Sequence, residues 1–330
     1  MLASMALDLS GMTLTQLRYV VAVDRHRSFR VAAESCHVSQ PGLSMQIQKL
    51  EEILGAAIFD RSFQPVVTTT LGAAIAAQAR AILHDCERLQ DLVQAGDELT
   101  GTYRLGIIPT LAPSLVPLLL PTFLAAYPRV TLHVEERTTE ALVRGLLDDS
   151  VDGGLAATPL DVPLVHERPL FLEPFYVYLG PAHALGERSH LRQSDLFDER
   201  PWLLADGHCF RTQCLHLCKV DRRASEAGAR ARFESGSFET LVSLVDAGLG
   251  ITLLPELTVR RLPAEARRRQ VRPFVSPVPT RQVSFVFGRN RLHGAIADAL
   301  VETLLSCIPG DLPRAGAARD DDAWIVLPTR

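Results

Sequence analysis

The chain has 330 residues, 47% of them hydrophobic, and carries 34 Lys and Arg against 38 Asp and Glu, a formal net charge of −4. That length and apolar content suit two or three domains with real cores. The absence of any run near the ~18 apolar residues of a membrane span, and of a basic and apolar leader, gives the expectation of a cytoplasmic protein. Structural disulfides are rare in a reducing cytosol, so the six cysteines read as buried thiols, metal ligands or redox centres.

Residues 1–11 show no periodicity and are expected to form a flexible extension. From Leu14 onward, Leu17, Tyr19, Val20, Val21 and Val23 recur at helical spacing and predict a helix of about three turns. Ser28 is placed to cap a second helix over 29–35. After a short turn at 37–39, Ser39 caps a third, where Pro41 is tolerated because first-turn N–H groups have no intrahelical partner. This third helix runs to residue 54. Leu43, Ile47, Leu50 and Leu54 bury one face, and Gln40, Ser44, Gln46, Gln48 and Lys49 form the other. Two helices joined by a short turn, the second with an amide- and hydroxyl-rich face, make a helix-turn-helix able to read base edges. Charge does not separate this reading from an ordinary helical hairpin, because residues 1–70 hold six basic and six acidic side chains.

The segment Leu14-Thr-Gln-Leu-Arg-Tyr, Ser28-Phe, Ala32-Ala, Val38-Ser-Gln-Pro-Gly-Leu-Ser-Met-Gln-Ile-Gln-Lys-Leu-Glu51, Leu54-Gly and Ile58-Phe-Asp-Arg61 resembles the winged helix-turn-helix of LysR-type transcriptional regulators. The resemblance implies double-stranded DNA as partner. Ser39, Gln40, Pro41 and Ser44 would lie at the major groove, with Ser28, Arg30, Lys49 and Arg61 near phosphates. Phe63-Gln64-Pro65 departs from the family at the wing, where a basic residue usually follows the Arg. The DNA-binding domain is assigned to residues 12–70.

A linker helix and hinge follow over 71–101. Within the helix from residue 69 to about 94, Leu71, Ile75, Ile82, Leu89 and Leu92 form one stripe, widened by Ala79, Cys86 and Val93. A seam spaced near 3.5 residues calls for a partner helix, and hence a dimer reading a roughly palindromic site. Residues 95–101 break the helix as a hinge.

Strands and helices then alternate. Strands are expected at 103–108, 130–135, 153–157, 175–179, 201–204, 232–234, 271–275 and 283–287, with helices at 115–127, 139–147, 238–247 and 294–307. This is an α/β pattern with a mainly parallel sheet. The family resemblance implies a two-lobed domain like that of a periplasmic binding protein over 102–308. Lobe I takes 102–177 and 276–308, lobe II takes 178–275, and ligand sits in the cleft between them. Residues 309–330, rich in Ala, Gly, Asp and Pro, are expected to be disordered despite the apolar Trp324-Ile-Val-Leu327.

The stretch from Asp206 to Cys218 holds Cys209, Cys214 and Cys218 with His208 and His216. On residue types alone it admits a reactive thiol with a resolving partner, a metal site, or core packing. Zinc has ligands enough but lacks a C-x2-C pair. Buried structural thiols beside a cleft for a small organic inducer, and a thiol peroxidase acting as an enzyme, are further alternatives. Cys36, Cys86 and Cys307 read as packing residues.

Leu204-Ala-Asp-Gly-His-Cys-Phe-Arg211 and Cys218, with Gly106-Ile-Ile-Pro-Thr-Leu-Ala-Pro113 and Phe238-Glu-Thr-Leu, resemble the peroxide-responsive members of the LysR-type family. The resemblance implies that Cys209 attacks hydrogen peroxide and that Cys218 resolves the product into a disulfide. It also assigns peroxide and water binding to Thr110 and Thr139, and brings Arg281 in from the other lobe. His208 and Arg211 are further candidates to lower the thiol pKa, since the thiolate is the nucleophile. Cys214 is additional to the family pattern, and Thr212 stands where an acidic residue is usual. If the segment after Cys209 is helical, nine residues at about 1.5 Å each separate the two Cα atoms by roughly 13 Å. A disulfide spans only about 4.4 to 6.8 Å, so oxidation would force refolding. The expected protein is therefore a DNA-binding activator rather than an enzyme, without cofactor or metal. It would self-associate to a dimer and, by resemblance, a tetramer, with RNA polymerase as a further partner.

Overall fold

The computed structural model describes residues 11–94, 99–219, 236–288, 294–315 and 323–329. The expected extension at 1–10, residues 95–98 of the expected hinge, the expected strand at 232–234 and residues 316–322 of the tail lie outside the described residues. Two compact units form, one of residues 1–97 with 148–150 and one of residues 98–147 with 151–330. Among the described residues no helix is long and apolar enough to cross a membrane.

The first unit opens with α1 (Leu14–His26), α2 (Phe29–Ser35) and α3 (Gln40–Leu54). Each begins where a side chain accepts a bond from a free first-turn N–H. Thr13 takes Gln16 N, Ser28 takes Val31 N and Ser39 takes Gly42 N, contacts typically worth about 1 kcal/mol apiece. Gly55 ends α3 at φ 64, a left-handed conformation that glycine adopts without steric cost. Two short antiparallel strands, β1 (Phe59–Asp60) and β2 (Val67–Thr68), form the wing. The helix α4 (Thr70–Gln94) follows. Leu17, Val20, Val23, Leu43, Ile47, Leu50 and Ile58 make the core, and Ala76 and Ala79 of α4 are buried in it. The first half of the expected α4 seam is therefore divided. Ala79, Ile75 and Ile82 pack onto the head's own core, while Leu71 is 56% exposed. Side chains 87–94 are outside the described residues, so Leu89, Leu92 and Val93 belong to no contact stated here.

The second unit begins with β3 (Gly101–Ile107), α5 (Ala112–Ala126), β4 (Val130–Glu136), α6 (Thr139–Leu147), β5 (Gly153–Thr158) and the long β6 (His166–Leu179). Next come α7 (Cys209–Cys218), α8 (Phe238–Asp246), β7 (Ile251–Pro255), α9 (Glu256–Arg261), α10 (Ala264–Gln270) and β8 (Val271–Pro273). The chain closes with β9 (Val278–Phe287), α11 (Gly294–Cys307) and β10 (Trp324–Val326). Strand order is β4-β3-β5-β9-β6-β7, with β8 on β6 and β10 on β9. The sheet is mixed rather than mainly parallel. β3 runs parallel to β4 and β5, but β9 is antiparallel to β5 and β6, and β6 is antiparallel to β7 and β8.

Two apolar cores lie along this path. One gathers Tyr103, Leu119, Phe123, Phe171, Val283 and Phe285; the other gathers Phe175, Val177, Leu196, Leu253 and Phe274. Strand β6 passes from the first to the second between Phe171 and Phe175, ahead of the expected boundary at 178. The antiparallel β9 returns beside it, pairing Glu173 with Arg281 and Pro174 with Thr280.

Several expectations need correction. The expected strand at 175–179 is the last part of β6, whose preceding residues include the breakers Pro169 and Pro174 and the acid Glu173. The bulge between Pro169 and Phe171 absorbs the first of these. Within the expected strand at 201–204, Trp202 and Leu204 are isolated bridge positions, Trp202 pairing with Thr252. Helices α9 and α10 were not expected, being only six and seven residues long, too short for periodicity to register. The tail is ordered at both ends of its described part: Arg314 bridges Phe171, and β10 lies parallel to β9.

Candidate functional site

In the first unit Ser39, Gln40, Pro41 and Lys49 are exposed on or beside α3, so its polar face is open. Ser28 and Ser44 are half-buried. Gln46, expected on that face, accepts instead from Gln16 Nε2 at 3.2 Å. Arg61 is folded back from the wing. Its Nη1 donates to Ser44 Oγ at 3.1 Å, its Nη2 to Glu51 Oε2 at 3.0 Å, and its guanidinium lies 4.9 Å from the Phe29 ring centre. Arg30 pairs with Glu34 at 2.6 Å. Exposed pairs of this kind are worth at most about 1 kcal/mol, little against a nucleic-acid phosphate.

In the second unit Cys209 is the first residue of α7 and only 7% exposed. It lines a tight crevice, with no volume open even to a water-sized molecule, together with Ile108, Pro109, Thr110, Thr139, Gly207 and His208. Strand β3 delivers Thr110 just beyond its end, and Thr139 starts α6, where its hydroxyl hydrogen-bonds the sulfur. A larger cavity of about 110 Å³ lies beside it between Thr110, Ser114, Glu136, Ser237, Thr258 and Arg261, among other residues.

Behind Thr110 lies a buried ion pair. Arg281 and Glu173 are both 0% exposed, with Arg281 Nε and Nη2 each 2.8 Å from Glu173 Oε2. Arg281 Nη1 donates to Thr110 Oγ1 at 2.9 Å and Nη2 to Thr110 O at 3.3 Å. Glu173 Oε1 accepts from Leu257 N at 2.8 Å. Burying two charges costs several kcal/mol each, recovered only when the remaining donors and acceptors are also met, as they are here. The guanidinium also stands 5.5 Å from the ring centre of Phe210, the residue after Cys209.

These neighbours decide the state of the thiol. Burial pushes Cys209 above the ordinary thiol range, while Arg281, a hydrogen bond from Thr139 and the N–H groups of Phe210 and Cys209 pull it down without prevailing. The expectation of a depressed pKa is thus corrected: the site desolvates more than it charges. His208 does not supply the expected positive charge, because desolvation lowers its pKa. Arg211 points elsewhere, its Nε 3.0 Å from Asp206 Oδ1 and its Nη1 donating to Leu204 O. Because only the thiolate attacks, its fraction should rise about tenfold per pH unit below the pKa. Stopped-flow oxidation of Cys209 should therefore accelerate steadily from about pH 6 to about pH 8; a plateau across that range would reveal a thiol already ionised.

Cys218, the last residue of α7, is 1% exposed and burial pushes its pKa up to about 12. The two ends of the helix belong to different cores, Cys209 to the first and Cys218, with Phe210 and Cys214, to the second. Burial also raises the Cys214 thiol. Among the described residues no three His, Cys, Asp or Glu side chains are grouped to hold a metal ion.

Residues 14–73 match the bacterial regulatory helix-turn-helix protein of the lysR family, and residues 96–306 match the LysR substrate binding domain. The chain belongs to the LysR family. Among curated LysR relatives, a probable hydrogen peroxide-inducible genes activator of Streptomyces viridosporus is 36% identical over 305 residues, 91% of this chain and 96% of its own. A full-length OxyR cysteine-to-aspartate variant from Pseudomonas aeruginosa superposes with a TM-score of 0.75 at 35% identity, over 90% of this chain and 99% of that one. A hydrogen-peroxide-bound OxyR cysteine-to-serine mutant from Corynebacterium glutamicum gives 0.59 at 30% identity, over 89% and 92%.

Two residues of this LysR-type site escaped the sequence reading. Glu173 holds Arg281, and a lone acid inside the apolar run Leu170-Phe-Leu-Glu-Pro-Phe-Tyr-Val was a usable signal, because a buried acid needs a partner. Phe210 packs edge-on against Phe175 and Phe238, with ring centres 4.9 and 5.0 Å away.

Proposed function

We propose that this chain is a peroxide-sensing transcriptional regulator of the LysR family, acting in the cytoplasm on roughly palindromic promoter DNA. The observation that carries the reading is Cys209 at the head of α7, in a tight crevice lined by Thr110 and Thr139, with Arg281 donating to Thr110. A crevice this tight favours a very small oxidant over an organic effector. Thr110 and Thr139 would orient peroxide along the sulfur. As the sulfur–oxygen bond forms and the O–O bond breaks, the departing oxygen takes the thiol proton and leaves as water. Cys209 becomes a sulfenic acid.

Resolution by Cys218 would release a second water and leave a disulfide. With α7 helical throughout, nine residues at about 1.5 Å place the two Cα atoms roughly 13.5 Å apart, against at most about 6.8 Å in a disulfide. The bond therefore requires α7 to unwind and one thiol to leave its core. Oxidation is thereby converted into a change of shape. Ser39, Gln40, Pro41 and Ser44 are assigned to base contacts, and Ser28, Arg30, Lys49 and Arg61 to phosphates once the wing pairs open. Dimerisation through α4, a tetramer, and contact with RNA polymerase complete the proposal; peroxide reduction is a signalling step rather than turnover.

The test is peptide mapping after rapid alkylation. One equivalent of peroxide should convert Cys209 and Cys218 into a linked pair. Persistence of reduced Cys209 would defeat the reading, and a Cys209–Cys214 link would reassign the resolving thiol.

A further inference from the structure

The described parts of the chain beyond α11 lie along β6 and β9 and reach the sensor helix α7 at Leu327. Pro313 O accepts from Leu172 N at 2.8 Å and Ala315 N donates to Leu170 O at 3.1 Å, both on β6. Further on, Ala323 O accepts from Val278 N at 2.8 Å, and β10 runs beside β9 from Val278 to Thr280, one residue short of Arg281. Thr280 holds this strand twice, its Oγ1 donating to Ile325 O at 3.1 Å and its carbonyl accepting from Leu327 N at 2.9 Å. The Thr329 hydroxyl donates to Pro159 O, just after β5.

Leu327 is the point of contact with α7. Its side chain is buried in the same apolar core as Phe210, Cys214, Leu217 and Cys218. Its carbonyl accepts from Gln213 Nε2 at 3.2 Å, across 114 residues of sequence. Gln213 is itself fully buried, one turn along α7 from Cys209, and its Oε1 has no hydrogen-bond partner among the described residues. A buried amide met on one side only depends on the bond it has, since losing that bond exposes the whole desolvation cost of the group.

We infer that the C-terminal strand is a positioning element for the redox step, holding α7 in its helical form and so slowing resolution of oxidised Cys209 by Cys218. The inference rests on the peroxide-sensing reading. The Leu327 contacts depend on the helical placement of Gln213, and the disulfide requires that helix to come apart. Contacts present before resolution and lost on the way to it add to the barrier. Among the described residues nothing in the tail lines the crevice at Cys209, so the first oxidation is expected to be untouched. The controlled reaction is balanced: the Cys209 sulfenic acid and the Cys218 thiol give a disulfide and one water.

The experiment uses the full reduced chain, a chain ending at residue 322, and Gln213→Met, which keeps length and helix propensity but removes the donor. Each is mixed with one equivalent of hydrogen peroxide and quenched over time with a thiol alkylator and a sulfenic-acid trap, and the cysteine peptides are counted by mass spectrometry. Loss of the Cys209 thiol should proceed at one rate in all three. Disulfide formation should be about fivefold faster in Gln213→Met, the scale of one net hydrogen bond, and faster still in the truncated chain. Gln213→Met placed in the truncated chain should give no further acceleration, because both changes remove the same bond. Equal disulfide rates in all three chains, or full additivity, would overturn the positioning role while leaving peroxide sensing intact. Absence of both sulfenic acid and disulfide in the unmodified chain would overturn the functional reading and the inference with it.

Discussion

Cells carrying Cys209→Ser should show no peroxide-induced transcription, while the purified variant protects the same operator as the parent protein. The loss should be complete rather than graded. Serine is nearly isosteric with cysteine, and the site around it depends on Arg281, Glu173 and Thr110, none of which the exchange disturbs. What disappears is the polarisable, ionisable sulfur, without which no sulfenic acid forms and α7 has no reason to unwind. Cys209 lies in the second unit and the DNA-reading helix in the first, so folding of the head is independent of the change. Cys218→Ser should differ in kind, accumulating trapped sulfenic acid at Cys209 without the linked peptide. Reporter expression with and without peroxide, paired with footprinting, reads both outcomes. Full induction in Cys209→Ser would transfer sensing to an organic effector, with the larger cavity between Thr110, Ser114 and Arg261 as its place.

How much of this was legible depends on how local each determinant is. The three head helices were readable because Ser28 and Ser39 mark their starts and a single apolar stripe marks their inner faces, all within a few residues. Thr110, Thr139 and Arg281 were reached only through family resemblance, since β3, α6 and β9 bring them together across 171 residues between Thr110 and Arg281. Arg211 failed as an activator because a nearer carboxylate, Asp206, takes its charge, and proximity in sequence to Cys209 says nothing of direction. Glu173 was hidden by the prolines around it, which read as breakers. The tail misled through composition: Ala, Gly, Asp and Pro outweigh four apolar residues in any average. Yet the start of β9, Val278 to Thr280, runs past the end of β5 and leaves a free side that Trp324, Ile325 and Val326 pair with.

Substituting either member of the buried pair should destabilise the protein similarly but move the chemistry in opposite directions. Glu173→Gln keeps the acceptor for Leu257 N but turns an amide toward Arg281, stranding a guanidinium that is 0% exposed. Arg281→Met fills similar volume and strands the carboxylate, and Thr110 Oγ1 loses its donor. Breaking one side of a buried pair costs about 3–5 kcal/mol, so both variants should unfold at markedly lower urea concentration. Cys209 separates them. Arg281 is the largest influence drawing its thiol pKa down against burial, and the opposite charge of Glu173, 2.8 Å from that guanidinium, should offset part of its field. Without the carboxylate the cation acts unopposed, the thiol pKa falls and oxidation at neutral pH speeds up by as much as about tenfold for each unit of fall. Without the cation the pKa climbs further and oxidation slows. Rate–pH profiles of the two variants should therefore shift to opposite sides of the parent curve despite matched losses of stability. A shift of both in the same direction would mean that the pair acts on Cys209 through packing against Phe210 and Thr110, and not through charge.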